Sequence, residues 1–109
     1  NNKLSCLLLQ RANDEFLGIP FNLASYSVLT IIVAKICGLE PYEFIHYGGD
    51  CHIYSDHTQQ CQEQISREPY PFPTLEILNK RDNINDYVLE DFKLNDYQHH
   101  AQIKGAMRA

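Results

Sequence analysis

From Leu4 to Leu9 nearly every position is apolar, as in Leu4-Ser5-Cys6-Leu7-Leu8-Leu9. The alternation of a strand with one wet face is absent, so the pattern predicts a strand covered on both sides. The longest hydrophobic window, Phe21 to Cys37, is interrupted by Asn22, Ser25, Ser27, Thr30 and Lys35. Its apolar residues occupy almost the whole circumference of a helix, which predicts a buried core helix. Pro20 suits the first turn, where a missing N–H costs nothing, while Gly38 offers a left-handed cap and Pro41 prevents continuation. The window is short for a membrane span, so no membrane partner is expected.

Beyond the helix, Phe44-Ile45-His46-Tyr47 and Cys51-His52-Ile53-Tyr54 read as extended segments, with a turn or bulge at Gly48-Gly49-Asp50. Side chains two apart share a strand face, so His52 and Tyr54 project together and Asp50 joins them if the bulge permits. The polar run from Asp56 to Arg67 predicts a helix capped by Asp56. Pro69-Tyr70-Pro71-Phe72-Pro73 predicts an extended connector. Leu75 to Leu78 resumes a strand, Lys80 to Asn85 is a polar loop, and Asp91-Phe92-Lys93-Leu94 with Tyr97 alternates like a half-buried strand. From His99 to Ala109 no periodicity is visible. The sum is an α+β fold: a buried central helix packed on a mixed, largely antiparallel sheet.

At 109 residues the chain is one domain at most. It opens Asn1-Asn2-Lys3 without Met and enters an apolar run at once, so it is expected to be a piece of something longer. Nine Lys and Arg against fourteen Asp and Glu leave a net charge of −5. No basic stripe is interleaved with aromatics, which argues against a nucleic-acid polymer and leaves a single small anion as a fitting partner. Cys6, Cys37, Cys51 and Cys61 are scattered without a secretory signal before them, which points to reduced thiols and a cytoplasmic setting. A Gly-rich phosphate loop, a Gly-x-Ser-x-Gly elbow, a His-Glu-x-x-His helix and the paired carboxylates of glycoside chemistry do not occur.

Candidate chemistry gathers around Gln10 to Asn22. Arg11, delivered by the first strand, offers a planar fork of donors for phosphate or carboxylate, although such an Arg is often simply paired with an acid. Asn22 presents an acceptor beside a donor, which matches the edge of an imide or amide ring, although an Asn there more commonly satisfies its own helix. His52 and Tyr54 suit a sugar hydroxyl, or are merely the polar tips of an amphipathic strand. Cys51, His52, His57 and Cys61 are a conceivable zinc set, but adjacent Cys51 and His52 point to opposite strand faces and no Cys-x-x-Cys is present. Ordinary reduced cysteines and no metal are the expectation.

Gln10-Arg11 followed by Asp14, then Leu17-Gly18-Ile19-Pro20-Phe21-Asn22-Leu23-Ala24-Ser25-Tyr26, resembles the signature of thymidylate synthase. Glu43-Phe44-Ile45-His46, Gly49-Asp50-Cys51-His52-Ile53-Tyr54 with His57, Arg67-Glu68-Pro69, Pro71-Phe72-Pro73, Asp91-Phe92 and Ile103-Lys104 follow in the family's order. The match spans essentially the whole chain but only the C-terminal part of that enzyme, so residues 1–109 are expected to be the C-terminal portion of a single synthase domain. Pro69-Tyr70-Pro71-Phe72-Pro73-Thr74-Leu75, with Tyr97 and His99-His100, is similar to the synthase part of protozoan bifunctional dihydrofolate reductase–thymidylate synthases. A fused reductase is the narrower implication.

The resemblance implies reductive methylation of dUMP to dTMP, with 5,10-methylenetetrahydrofolate giving carbon and hydride. Arg11 and Asn22 would be the catalytic residues of this chain, the first gripping phosphate and favouring a thiolate, the second reading the uracil edge where an Asp would suit cytosine. Ala12, Asn13, Asp14, His52 and Tyr54 would complete the dUMP contacts, the last two at the deoxyribose hydroxyl. Asp14, Leu17, Gly18, Phe21 and Arg108 would face the folate, and the segment ending Met107-Arg108-Ala109 would fold over it as a lid. The family acts as a homodimer whose partner supplies further phosphate-binding arginines.

Four positions depart from the family: Ala12 replaces the usual Ser, Leu9 a Tyr, Asp56 an Asn and Arg108 a small residue. The nucleophilic Cys belongs to a Pro-Pro-Cys-His stretch upstream, a context that Cys6, Cys37, Cys51 and Cys61 lack. These residues alone are therefore not expected to catalyse the reaction. The alternative is a non-catalytic nucleotide-binding or interaction module derived from the family, motivated by Ala12 and Arg108.

Overall fold

The apolar run at the start of the chain opens a strand longer than expected, β1, which spans Lys3–Asp14 in the computed structural model. The structure describes residues 1–108. After a short turn, α1 runs from Gly18 to Ile36, beginning three residues earlier than the pattern suggested because Gly18, Ile19 and Pro20 already form its first turn. Its end is a complete glycine cap. Gly38 sits at φ 69°, its N–H donates to the Lys35 carbonyl at 3.3 Å, and the Leu39 N–H reaches back to Ala34 at 2.8 Å.

The 19 residues of α1 rise about 28 Å. That length carries the chain back toward the start of β1, so β2 (Glu40–His52) lies parallel to β1 rather than antiparallel. The expectation of a largely antiparallel sheet is corrected accordingly. One two-stranded sheet is parallel, and a second pairs β3 (Thr74–Ile77) with β4 (Phe92–Asn95) antiparallel. A single-turn helix at Ser55–His57 and α2 (Thr58–Ile65) lie between the two sheets in the chain. Among the described residues the architecture is mixed α/β, with two α-helices and two small sheets.

Along β1 the residues Leu4, Cys6, Leu8 and Gln10 are half-buried while Ser5, Leu7, Leu9 and Arg11 are exposed. The strand therefore has one covered face, not two, and α1 provides that cover. The helix is also less enclosed than its composition suggested. Its buried positions are Ile19, Thr30, Ile32 and Ala34, whereas Phe21, Leu23 and Leu29 are exposed. The described residues supply cover for one stripe, so the fully buried central helix is corrected to a crossover helix with open apolar flanks. With its extra turn α1 meets the length and composition of a membrane span.

The anticipated break at Gly48-Gly49-Asp50 is absent, and β2 pairs continuously from Cys6↔Phe44 to Asp14↔His52. The glycines serve close approach instead of a turn. A Cβ on Gly49 would lie 2.8 Å from the Arg11 carbonyl oxygen, and one on Gly48 would lie 2.5 Å from Cys51 Sγ and 3.2 Å from Asn13 Nδ2. The register shift falls earlier, between Leu4↔Pro41 and Cys6↔Phe44.

Asp56 does not cap α2, which has no side-chain cap at its N-terminus. Between the paired strands of the second sheet, Asp91 is buried and accepts from Arg81 Nη2 at 2.7 Å, Arg81 Nε at 3.1 Å, Asn79 Nδ2 at 3.1 Å and the Val88 N–H at 3.0 Å. These bonds fold the polar loop before β4 around one carboxylate.

Candidate functional site

Two parallel strands joined by a helix bring the C-terminal ends of both strands beside the helix N-terminus, where such units concentrate ligand-binding groups. The end of β1 carries Gln10 to Asp14, and the end of β2 carries Asp50 to His52. At the head of α1 the free N–H groups point at Asp14. Its Oδ1 accepts from Phe16 at 3.3 Å and Leu17 at 3.5 Å, and its Oδ2 from Gly18 at 3.2 Å. Asp14 therefore caps the positive end of the helix from the preceding strand, a role that the sequence reading did not include. An ionised carboxylate has about four acceptor positions, so lone-pair capacity remains for a ligand.

Asn22 was expected at the helix head; because α1 starts at Gly18 it stands in the second turn. Its Oδ1 accepts from Gln10 Nε2 at 2.9 Å. The same Gln10 nitrogen donates to the Ala12 carbonyl at 3.1 Å, and Gln10 Oε1 lies 3.2 Å from His46 Nε2. Gln10 and His46 carry part of the family resemblance but were given no role from the sequence. The available signal was alternation: Gln10 continues the helix-facing row Leu4, Cys6, Leu8, where a polar residue needs a partner.

Asn13 is fully buried, and its Nδ2 donates to the Gln10 carbonyl at 3.0 Å and the Asp50 carbonyl at 3.3 Å. Expected among the dUMP contacts, it stitches the ends of β1 and β2 together through this nitrogen. Its Oδ1 has no partner among the described residues. Arg11 faces away from α1 and is exposed, in an open cleft of about 310 Å³ formed with Leu9, Gln10, Tyr47, Gly48 and Gly49. Among the described residues its guanidinium makes no ion pair or side-chain hydrogen bond. Ala12 beside it is exposed and adds no polar group.

His52 and Tyr54 project together as expected, their rings edge to face at 5.1 Å. Asp50 joins them without a bulge, its Oδ1 3.4 Å from His52 Nδ1. The aromatic row continues from Tyr54 to His57 at 5.8 Å and from His57 to Phe16 at 5.2 Å. Between the two strand-end residues, burial pushes the Cys51 thiol up from 9.0, and a hydrogen bond to Glu15 adds to the effect. That is the opposite of what a nucleophilic thiolate needs.

The C-terminal segment docks against this corner. His57 is fully buried and its Nε2 donates to the Ala106 carbonyl at 2.7 Å, since a carbonyl can only accept. Gln60 Nε2 donates to the Lys104 carbonyl at 3.3 Å. At Gly105 any Cβ would lie 2.7 Å from the Phe16 ring. Arg108, expected on the folate side, forms an ion pair with Asp56. Ala109, the last residue of the expected lid, lies outside the described residues. Of the other expected folate contacts, Leu17 and Gly18 are half-buried and Phe21 is 73% exposed beside the head of the helix. The conceivable zinc residues do not converge: among the described residues no three His, Cys, Asp or Glu side chains are placed to share an ion.

Comparison with known proteins places relatives along the chain. The family model described as thymidylate synthase matches residues 1–109. A thymidylate synthase of Francisella tularensis subsp. holarctica (strain FTNF002-00 / FTA) is 58% identical over 104 residues, covering 95% of this chain and 38% of the relative. One from strain OSU18 gives the same values. A thymidylate synthase of Francisella philomiragia is 57% identical over the same length. The chain thus spans 38% of the length of the curated relatives it matches. With the family model matching from the first residue to the last and a relative 58% identical over 104 residues, the chain belongs to the thymidylate synthase family.

Proposed function

We propose that the complete polypeptide is a thymidylate synthase that converts dUMP to dTMP by reductive methylation, with 5,10-methylenetetrahydrofolate supplying carbon and hydride. The observation that carries this reading is Asn22, held in one orientation by Gln10 at the end of a strand whose next residue, Arg11, has no ion-pair partner among the described residues. Gln10 faces α1 and Arg11 faces away, so a ligand using both lies across the end of β1. Its phosphate meets the Arg11 fork and its base meets the Asn22 amide. His52 and Tyr54 take the deoxyribose hydroxyl.

The folate fits the other side of the helix head. The exposed ring of Phe21 offers a stacking face, and Asp14 retains acceptor capacity for a pterin donor. When bound, that co-substrate supplies the one-carbon unit and the reducing equivalent, while this chain's residues bind, orient and exclude water. The nucleophile comes from outside these residues. The exposed apolar row Leu7, Leu9, Ile45 and Tyr47 on the outer face of the β1–β2 sheet supports a homodimer. The four free thiols support a cytoplasmic location. The Pro69–Leu75 wording supports the narrower reading of a polypeptide fused to dihydrofolate reductase, which the mass of the full-length protein tests. The alternative, a non-catalytic nucleotide-binding module, draws on Ala12 at the phosphate end.

Calorimetric titration of the full-length polypeptide with dUMP and dCMP tests the reading. The expected result is a dUMP complex at least about tenfold tighter than that of dCMP, one lost or unpaired hydrogen bond being worth roughly that much. Absence of dUMP binding would overturn it, and binding without turnover would favour the non-catalytic module.

A further inference from the structure

A chain of three side chains leads from β2 across β1 to the helix. His46 lies opposite Leu8 in the parallel register, and Gln10 follows two residues after Leu8 on the same face. The hydrogen bonds along this chain have only one consistent direction. Gln10 Nε2 sits against two oxygens, the Ala12 carbonyl at 3.1 Å and Asn22 Oδ1 at 2.9 Å. The backbone carbonyl cannot donate, so that end of the Gln10 amide is the nitrogen. Its Oε1 then faces His46 Nε2 at 3.2 Å, and an amide oxygen can only accept, so His46 Nε2 carries a hydrogen. Asn22 in turn must present Oδ1 to Gln10, which leaves its Nδ2 hydrogens as the donors available to a ligand.

We propose that His46 is a positioning residue for base recognition: by donating to Gln10 it fixes the Gln10 amide, and through it the orientation of the Asn22 amide that discriminates an oxo from an amino pyrimidine. His46 touches no substrate. Its effect passes through two amides, each of which has a nearly isosteric flipped form of opposite donor and acceptor pattern. Without the His46 donor, only the Ala12 carbonyl still opposes the flipped form in which the Gln10 oxygen faces Asn22, and that form gains population. Asn22 then answers with Nδ2 and turns Oδ1 toward the ligand. A carbonyl at the base edge loses its donor, and an exocyclic amine gains an acceptor. The amide pair is the switch element, and the histidine adds to the Ala12 carbonyl in favouring one of its two states. The half-buried setting of all three side chains excludes enough water to make the choice count.

This inference rests on the proposed dUMP reading for its functional half, so its test has an independent structural half. In the ligand-free full-length protein, selective 15N-histidine labelling reports which ring nitrogen of His46 carries the hydrogen at pH 8. The expected result is the Nε2–H form, and an Nδ1–H form overturns the proposal whatever the protein binds. The functional half compares dissociation constants for dUMP and dCMP in wild type, His46→Phe and His46→Gln, the last of which keeps a donor near the Nε2 position. His46→Phe should cut the dUMP preference roughly threefold to tenfold, and His46→Gln should restore most of it. Equal weakening of both nucleotides by His46→Phe, or an unchanged ratio, overturns the proposal. Failure of the wild type to bind dUMP counts against the dUMP reading, while the nitrogen assignment still decides the hydrogen-bond direction.

Discussion

Asp56 and Arg108, 52 residues apart in the chain, form an ion pair that ties the C-terminal segment to the corner before α2. Both positions are ones at which the sequence resemblance implied a departure from the thymidylate synthase pattern, one in bearing an acid and the other in bearing a long cation. Each departure looks unfavourable alone, and the contact makes them complementary. The pair acts beside the His57 bond to Ala106 and the Gln60 bond to Lys104, so the segment is held at three successive points without regular secondary structure.

Breaking this pair should loosen the segment without unfolding the domain. Both side chains are partly exposed, at 50% and 35%, so solvent screens the interaction and the expected effect is modest. Arg108→Ala should raise hydrogen exchange or carboxypeptidase trimming of residues 104–108 about twofold to fivefold. Asp56→Arg combined with Arg108→Asp should recover much of the protection, and 1 M salt should erase the difference between wild type and Arg108→Ala. Arg108 holds the Asp56 carboxyl below its ordinary 3.8. The folded state therefore resists protonation, and the tie is fully present above pH 3.8 and lost as pH falls below it.

A second carboxylate controls acid stability. Hydrogen bonds from Arg81, with a further backbone bond from Val88, bring the Asp91 carboxyl down from 3.8 to about 2. The stability it contributes is complete above pH 3.8 and is lost as pH falls from there through about 2. Asp91→Asn should lower Tm at neutral pH by roughly 5–10 °C. The variant should also show a shallower loss of Tm across that acid window, measured by calorimetry on the full-length protein.

Gly49→Ala should be disruptive out of proportion to one methyl group. The new Cβ would meet the Arg11 carbonyl oxygen at 2.8 Å toward the C-terminal end of the β1–β2 pairing. Relieving that contact displaces Arg11, so both Tm and dUMP affinity should fall, whereas Gly38→Asn at the helix cap should leave affinity unchanged. Circular dichroism melts and nucleotide titration of the two variants check the contrast.

Cys51 should be a poor nucleophile despite its exposure. With its thiol pushed up by burial and by Glu15, it should react with iodoacetamide at pH 8 more slowly than free cysteine does. Glu15→Gln should accelerate it. Mass spectrometry of timed digests of the full-length protein reads both rates.

The elements were legible where a local rule suffices: Gly38 as a cap, the proline connector, and the shared direction of His52 and Tyr54 all follow from neighbours in sequence. Strand direction was not legible, because it depends on how far α1 carries the chain, and α1 begins before its apolar window does. Gly48 and Gly49 looked like a turn because glycine marks both turns and close approaches, and only the approach of Arg11 and Asn13 distinguishes them. Arg11 and Asn22 were recognisable as chemistry-bearing residues, but the partners that set them, Gln10 and His46, became visible only when β2 was placed beside β1 in register. The open flanks of α1 reflect cover that the described residues do not supply.

The central claim is that Arg11 and Asn22 hold the two ends of one uracil nucleotide in a complete synthase. Tritium release from dUMP labelled at C5, in the presence of 5,10-methylenetetrahydrofolate, tests it most directly on the full-length polypeptide. The account predicts steady release by wild type, a drop of roughly a hundredfold or more in kcat/KM with Arg11→Ala, and loss of dUMP preference with Asn22→Asp. Release unaffected by Arg11→Ala, or no release from a polypeptide that binds both dUMP and the folate, would contradict it.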